Sequence, residues 1–252
     1  MFVEAGAPNE ILYLNKPHIG TDLLRNVIIN LRNKIINMGG DIRYNYCLTN
    51  IEIQDSHIKS IEINNNEKIE TEVLILAIGH SARDTFRMLN KNKIKMEPKP
   101  FAVGVRVQHP QEKINYSQYG KFKDMLPPAT YKLTYHSSNG RGVYSFCMCP
   151  GGYVVNASSE DRRLAINGMS NHSRDSKNAN SAIVVTVIPN DFNGNLFGGL
   201  EFQEKLEEKT YEIGKGKIPI QTLKDFMENK KTEKIGSVEL EMKGDYSLAN
   251  LN

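Results

Sequence analysis

Three groups of side chains in this sequence are of types that do chemistry. Cys147 and Cys149 stand one residue apart in Phe146-Cys147-Met148-Cys149-Pro150-Gly151-Gly152. His172, Arg174 and Asp175 share the polar segment 167–180. Arg106 lies within the run Phe101–Gln108, and His109 just past its end. Paired thiols suit redox or metal chemistry. A guanidinium offers a planar fork to a carboxylate or phosphate, and an imidazole exchanges a proton near neutrality.

Each group also has a plainer reading. In an extended strand both cysteines point the same way, with Met148 opposite. Their Cα atoms are then about 6.6 Å apart, at the far edge of disulfide geometry, so no bond is expected. No second Cys/His pair at ligand spacing appears, so no metal site is expected. Buried small apolar residues are the main reading of the pair. The other is Cys149 facing a ligand, because Pro150-Gly151-Gly152 permits close backbone approach. Segment 167–180 is either a solvated loop or an anion-binding loop with Arg174 as a bidentate clamp beside His172. Arg106 falls on the strand face opposite the valines and, with His109, either lines a pocket or forms a rim salt bridge.

The elements that must position these groups follow from periodicity. Leu24, Val27, Ile28, Leu31, Ile35 and Met38 fall on one helical face, with Thr21 as the expected N-cap and Gly39-Gly40 as the stop. Asp41–Tyr46 reads as a strand. Residues 48–53, 58–63 and 68–70 read as a three-stranded meander joined by Gln54-Asp55-Ser56 and Asn64-Asn65-Asn66. Val73–Ala77 is apolar on both faces and reads as a buried parallel strand ending in Gly79. Beyond Met96-Glu97-Pro98-Lys99-Pro100, strands are expected over 101–108, 131–135, 142–147, 153–157 and 182–188. A helix is expected over 202–213, with Leu206 and Tyr211 inward. Ser81 and Asp84 read as a capping arrangement, and His80 as a turn residue.

The order helix, strand, meander, buried strand, Ala-x-Gly turn resembles the FAD domain of glutathione-reductase-like flavoproteins. Four motifs resemble a bacterial group of uncharacterised FAD-dependent dehydrogenases. They are Lys16-Pro17-His18-Ile19-Gly20-Thr21-Asp22, Ala77-Ile78-Gly79-His80-Ser81-Ala82-Arg83-Asp84, Cys147-Met148-Cys149-Pro150-Gly151-Gly152 and 167–175. The resemblance implies an α/β architecture. Residues 1–97 would be part of a Rossmann-like FAD-binding domain, 98–235 a mainly antiparallel α+β substrate domain, and 236–252 the return to the FAD domain. It implies that Leu48, Ala77, Ile78 and Gly79 touch FAD through their backbones. The substrate-pocket candidates are then Arg106, His109, Cys149, His172 and Arg174, and no catalytic residue is assigned. The Gly-x-Gly-x-x-Gly turn of the group does not occur, so the chain reads as an internal piece of a larger protein, inactive alone and holding FAD weakly or not at all.

The 252 residues, 39% apolar and 24% charged, fit one large folded domain or two smaller ones. A net charge of +3 with scattered basic residues argues against nucleic acid, and no apolar run is long enough for a membrane span. Three cysteines fit a reducing cytoplasm. Two functions remain in view: a piece of an FAD-dependent oxidoreductase of unknown substrate and redox partner, or a non-redox ligand- or partner-binding module.

Overall fold

The computed structural model describes residues 1–252. Helix α1 (Thr21–Asn37) forms where the apolar stripe was read. Gly20, at φ 90, stands at its N-cap, while the Thr21 hydroxyl donates to the Ser170 carbonyl at 3.2 Å. The expected Thr21 cap is therefore replaced by a long-range tie. Val27 is buried against Ala5 and Ala7, with Ile11, Ile19 and Leu31 around them. Leu24, Ile28, Ile35 and Met38 of the same stripe remain exposed.

Strands β1 (Leu48–Gln54), β2 (His57–Ile63) and β3 (Glu67–Glu70) form the antiparallel meander. Asp55-Ser56 and Asn64-Asn65 all take positive φ, the backbone that tight turns between right-twisted strands require. Two neighbouring expectations fail. Asp41–Tyr46 is irregular, with no strand facing it, and Arg43 is drawn instead to Asp41 at 2.6 Å and Glu67 at 3.3 Å. Val73–Ala77 forms no strand and belongs to no sheet. Residues 72–80 make no backbone–backbone hydrogen bond, and Val73 and Ile75 are 75% and 85% exposed. A strand apolar on both faces needs flanking strands and covering helices, and none among residues 1–252 lies against it.

Helix α2 (Arg83–Lys91) follows. Its N-cap is Ala82 without a side-chain cap, and the Ser81 hydroxyl meets His80 Nε2 at 3.2 Å, so the expected Ser81 cap is absent. The rest of the chain runs β4 (Phe101–Pro110), α3 (Gln111–Tyr119), β5 (Thr134–His136), β6 (Gly142–Cys149), β7 (Gly152–Asn156), β8 (Ile166–Ser170), β9 (Asn178–Val187), α4 (Gly198–Gly214), β10 (Ile218–Ile220), α5 (Leu223–Met227), β11 (Met242–Lys243) and β12 (Tyr246–Leu248). One antiparallel sheet has the order β4-β9-β6-β5. A second has the order β11-β7-β8, with β11 parallel to β7, and β10 pairs in parallel with β12. Architecture of mixed helices and mainly antiparallel sheets results.

In α4 the inward face differs from the expected one. Leu206 is exposed, while Glu204 and Glu207 turn toward arginines of α2 and of the loop before β8. No helix is long and apolar enough to cross a membrane.

The chain exposes 17134 Å². A compact monomer of 28.5 kDa would expose about 11,300 Å². More than half of the exposed large apolar side chains fall within residues 1–97.

Candidate functional site

The most unusual polar arrangement sits where β8 crosses the ends of β4, β6 and β9. Arg106 comes from β4 and faces Asn180 of β9. Its Nη1 donates to Asn180 Oδ1 at 2.6 Å and to the Cys147 carbonyl at 3.3 Å, and its Nη2 donates to Asn167 Oδ1 at 3.2 Å. Asn180 is fully buried, and its Nδ2 has no partner. The donor from Arg106 fixes which amide atom faces it, so the orphan is a consequence of the bond.

Two backbone features let these groups meet. Between Phe146 and Cys149 the β6–β9 register slips, and Cys147 takes φ 48. The bulge breaks the alternation expected of an extended strand. Cys147 and Cys149 therefore do not share a face: Cys147 is exposed, Cys149 is buried, and both are free thiols. The bulge also turns the Cys147 carbonyl toward Arg106 and toward Cys149 Sγ, which lies 3.4 Å away. Above the cluster lies Gly168. A Cβ there would stand 2.2 Å from Asn180 Oδ1, 2.4 Å from Arg106 Nη1 and 2.9 Å from Cys149 Sγ. Only glycine allows β8 this close.

Burial pushes the Cys149 thiol up to about 11, with the neighbouring Cys147 adding to the rise and Arg106 opposing it. Desolvation outweighs the cation, so Cys149 is a neutral buried thiol. Nearby, His109 Nε2 meets the Tyr131 hydroxyl at 2.8 Å, and His109 Nδ1 is buried without a partner. Burial holds His109 below the usual histidine range and Tyr131 above the usual tyrosine range; Ser181 and Arg106 oppose the latter shift.

The structure thus brings Arg106 and Cys149 together, while His109 pairs separately with Tyr131. It takes His172 elsewhere. His172 Nδ1 meets the Ile19 carbonyl at 3.1 Å, its backbone N–H donates to Asp22 at 2.8 Å, and its ring stacks on His18 with centroids 6.4 Å apart. That is a dock for the start of α1. The backbone of Arg174 packs on Gly151, whose added Cβ would stand 1.7 Å from the Arg174 carbonyl. Arg174 is not part of the Arg106 cluster bonds. Leu48 opens β1, opposite Ile63, and Ala77, Ile78 and Gly79 lie in the unpaired stretch. Tyr131 was not singled out as a site residue by sequence, and Asn167, Gly168 and Asn180 entered only as members of segment 167–180. Segment 167–180, expected as a loop, instead contains most of β8 (Ile166–Ser170) and the start of β9, where Asn178, Ala179, Asn180 and Ser181 are all buried.

Residues 100–252 match the family described as FAD-dependent protein, C-terminal domain-like. The chain belongs to this family. An uncharacterised protein of Clostridium beijerinckii (strain ATCC 51743 / NCIMB 8052) is 49% identical over 242 residues, covering 94% of this chain and 45% of that protein. The chain thus spans less than half the length of this relative. Within the FAD-dependent C-terminal region, the Arg106 cluster sets one buried polar atom without a partner, Asn180 Nδ2, beside an arginine with no carboxylate; another such atom, His109 Nδ1, lies in the separate His109–Tyr131 pair. A groove of about 350 Å³ elsewhere is lined only by α4 residues such as Phe202, Lys205 and Glu212, and is open surface. No group of three or more His, Cys, Asp or Glu residues is arranged to hold a metal ion.

Proposed function

We propose that this chain is the substrate-side portion of an FAD-dependent oxidoreductase. The observation that carries the reading is the family match over residues 100–252. Residues 1–97 would contribute part of the FAD-binding domain, 98–235 the substrate domain and 236–252 the return segment. FAD, when bound, supplies the hydride and electron chemistry, while the protein orients and shields.

The residues present fit part of such a cofactor. Residues 72–80 offer an open row of backbone N–H and C=O groups, and nothing lies within 4 Å of a Cβ built on Gly79. Ala77, Ile78 and Gly79, together with the backbone of Leu48, would take the polar edges of the dinucleotide. A pyrophosphate seat is missing from this set. At the N-terminus of α1 the Asp22 carboxylate accepts from the His172 N–H and places a negative charge where a pyrophosphate would sit. The exposed apolar residues of 1–97 support the same reading, because a completed FAD domain would cover them.

Two flavin measurements test this. The 252-residue chain, titrated with FAD, is expected to show no saturable binding in the low micromolar range. Neutral backbone contacts contribute about 0.5–1.5 kcal/mol each, too little to offset immobilising a dinucleotide. The Clostridium relative, purified at full length, is expected to be yellow with stoichiometric flavin. A colourless full-length relative would overturn the FAD reading.

A further inference from the structure

Every other arginine that the fold partly or fully buries in a bonded cluster is neutralised. Arg83 carries Glu160 and Glu207, Arg163 carries Glu160 and Glu204, and Arg141 carries Asp191. Arg106 differs. Its three hydrogen bonds go to one carbonyl and two amide oxygens, all neutral. Three of its five N–H donors are used, leaving Nε–H and one N–H of Nη2. The Nη2 side is the open one, since Asn167 is exposed while Asn180 on the Nη1 side is fully buried.

We propose that Arg106 anchors a small-molecule carboxylate through these two remaining donors, at the open edge of the cluster beside Asn167. The planar fork of a guanidinium matches a carboxylate, and three fixed bonds remove most of its rotamer freedom in advance. Fully buried Asn180 is committed to Arg106 through its Oδ1 and holds the guanidinium in place. An unneutralised cation with two spare donors lacks acceptors, and a carboxylate at the open edge would supply them. The bulge at Cys147 and the glycine at 168 are backbone features that build this arrangement, and both kinds recur where a ligand approaches. One fork and no second cation in the cluster select a single carboxylate over a phosphate.

The role as substrate anchor rests on the flavoprotein reading above; the binding does not. Flavin plays no part in the test, so failure here leaves that reading standing, and a colourless relative would leave this site standing. The Arg106 Nε–H resonance of the full chain would be followed by NMR during titration with acetate, pyruvate and benzoate at constant ionic strength. Inorganic phosphate and chloride are parallel arms. At least one carboxylate is expected to give a saturable shift. Asn167→Asp keeps the acceptor that Arg106 Nη2 and the Gly168 N–H use, at 3.2 and 2.8 Å, while placing an internal carboxylate on the fork. It should weaken binding by about tenfold, the scale of one charge-assisted contact. Arg174→Gln should leave binding unchanged. No shift with any carboxylate, equal shifts with phosphate or chloride, undiminished binding in Asn167→Asp, or loss of binding in Arg174→Gln would each overturn the proposal.

Discussion

Arg83 of α2 and Glu207 of α4, 124 residues apart in sequence, meet in two parallel hydrogen bonds of 2.7 and 3.0 Å. Glu160 takes a third at 2.9 Å, and Arg83 itself is buried. The bond to Glu207 raises Arg83 further above its ordinary range, against the opposing effect of burial. Replacing Arg83 by Met leaves two half-shielded carboxylates facing each other. The expected loss is about 3 kcal/mol, the low end for a buried pair losing one partner, because both glutamates still touch water. Adding Glu207→Leu should restore part of it. Denaturant unfolding of the single and double variants measures both, and a double variant no better than the single would show that the pair does not act as a unit.

The two cysteines of β6 should separate chemically. Cys47 and Cys147 are exposed and Cys149 is buried with its thiol pushed up to about 11. At neutral pH roughly one Cys149 in ten thousand is thiolate. A thiol–disulfide reagent should therefore titrate two thiols quickly in the native chain and the third only on unfolding. Rapid modification of Cys149 in the folded state would mean that Arg106, and not burial, sets its reactivity.

Turn chemistry made the meander legible: Asp55-Ser56 and Asn64-Asn65 are residues that accept positive φ, and β1 to β3 pair across them. Charge contacts distant in sequence were not legible. Helix α2 buries Arg83 only because α4 brings acids to it, and that same pull turns Glu204 and Glu207 inward in place of Leu206. At the candidate site, Arg106, His109 and Cys149 stood out by type. Asn180 did not, since a polar run such as Asn178–Ser181 carries no strand signal until another element covers it. The bulge at Cys147 was equally silent, because a non-glycine residue at φ 48 leaves no mark in composition. Val73–Ala77 shows the converse: its pattern is that of a buried strand, yet in the 252-residue chain it joins no sheet and stays exposed.

His109 sets a pH dependence whose sign follows from its burial, the main cause that holds it below the ordinary histidine value of 6.5. Above that value both folded and unfolded forms are neutral and the group contributes nothing. As pH falls below it, the unfolded chain binds the proton first, so stability declines until the lower folded value is reached. Thermal melts across this window should show the decline, and His109→Gln should flatten it. An unchanged slope would place the proton uptake elsewhere.

Val73 and Ile75 carry the last prediction. Neither makes a hydrogen bond to another backbone group, and they are 75% and 85% exposed. An unpaired apolar strand is a template for association with another edge. In the 252-residue chain nothing packs on these side chains, so Val73→Lys with Ile75→Lys should leave the melting temperature unchanged and reduce concentration-dependent association, as read by light scattering. In the full-length Clostridium relative the opposite is expected at the aligned positions, because there the run would lie within a completed parallel sheet. Placing two charges on one face of a covered strand costs several kcal/mol per buried ion, enough to unfold that domain or strip its flavin. A relative that tolerates the same two charges with its flavin intact would show that this run is surface in the longer protein as well, and the proposed covering of residues 1–97 would fall with it.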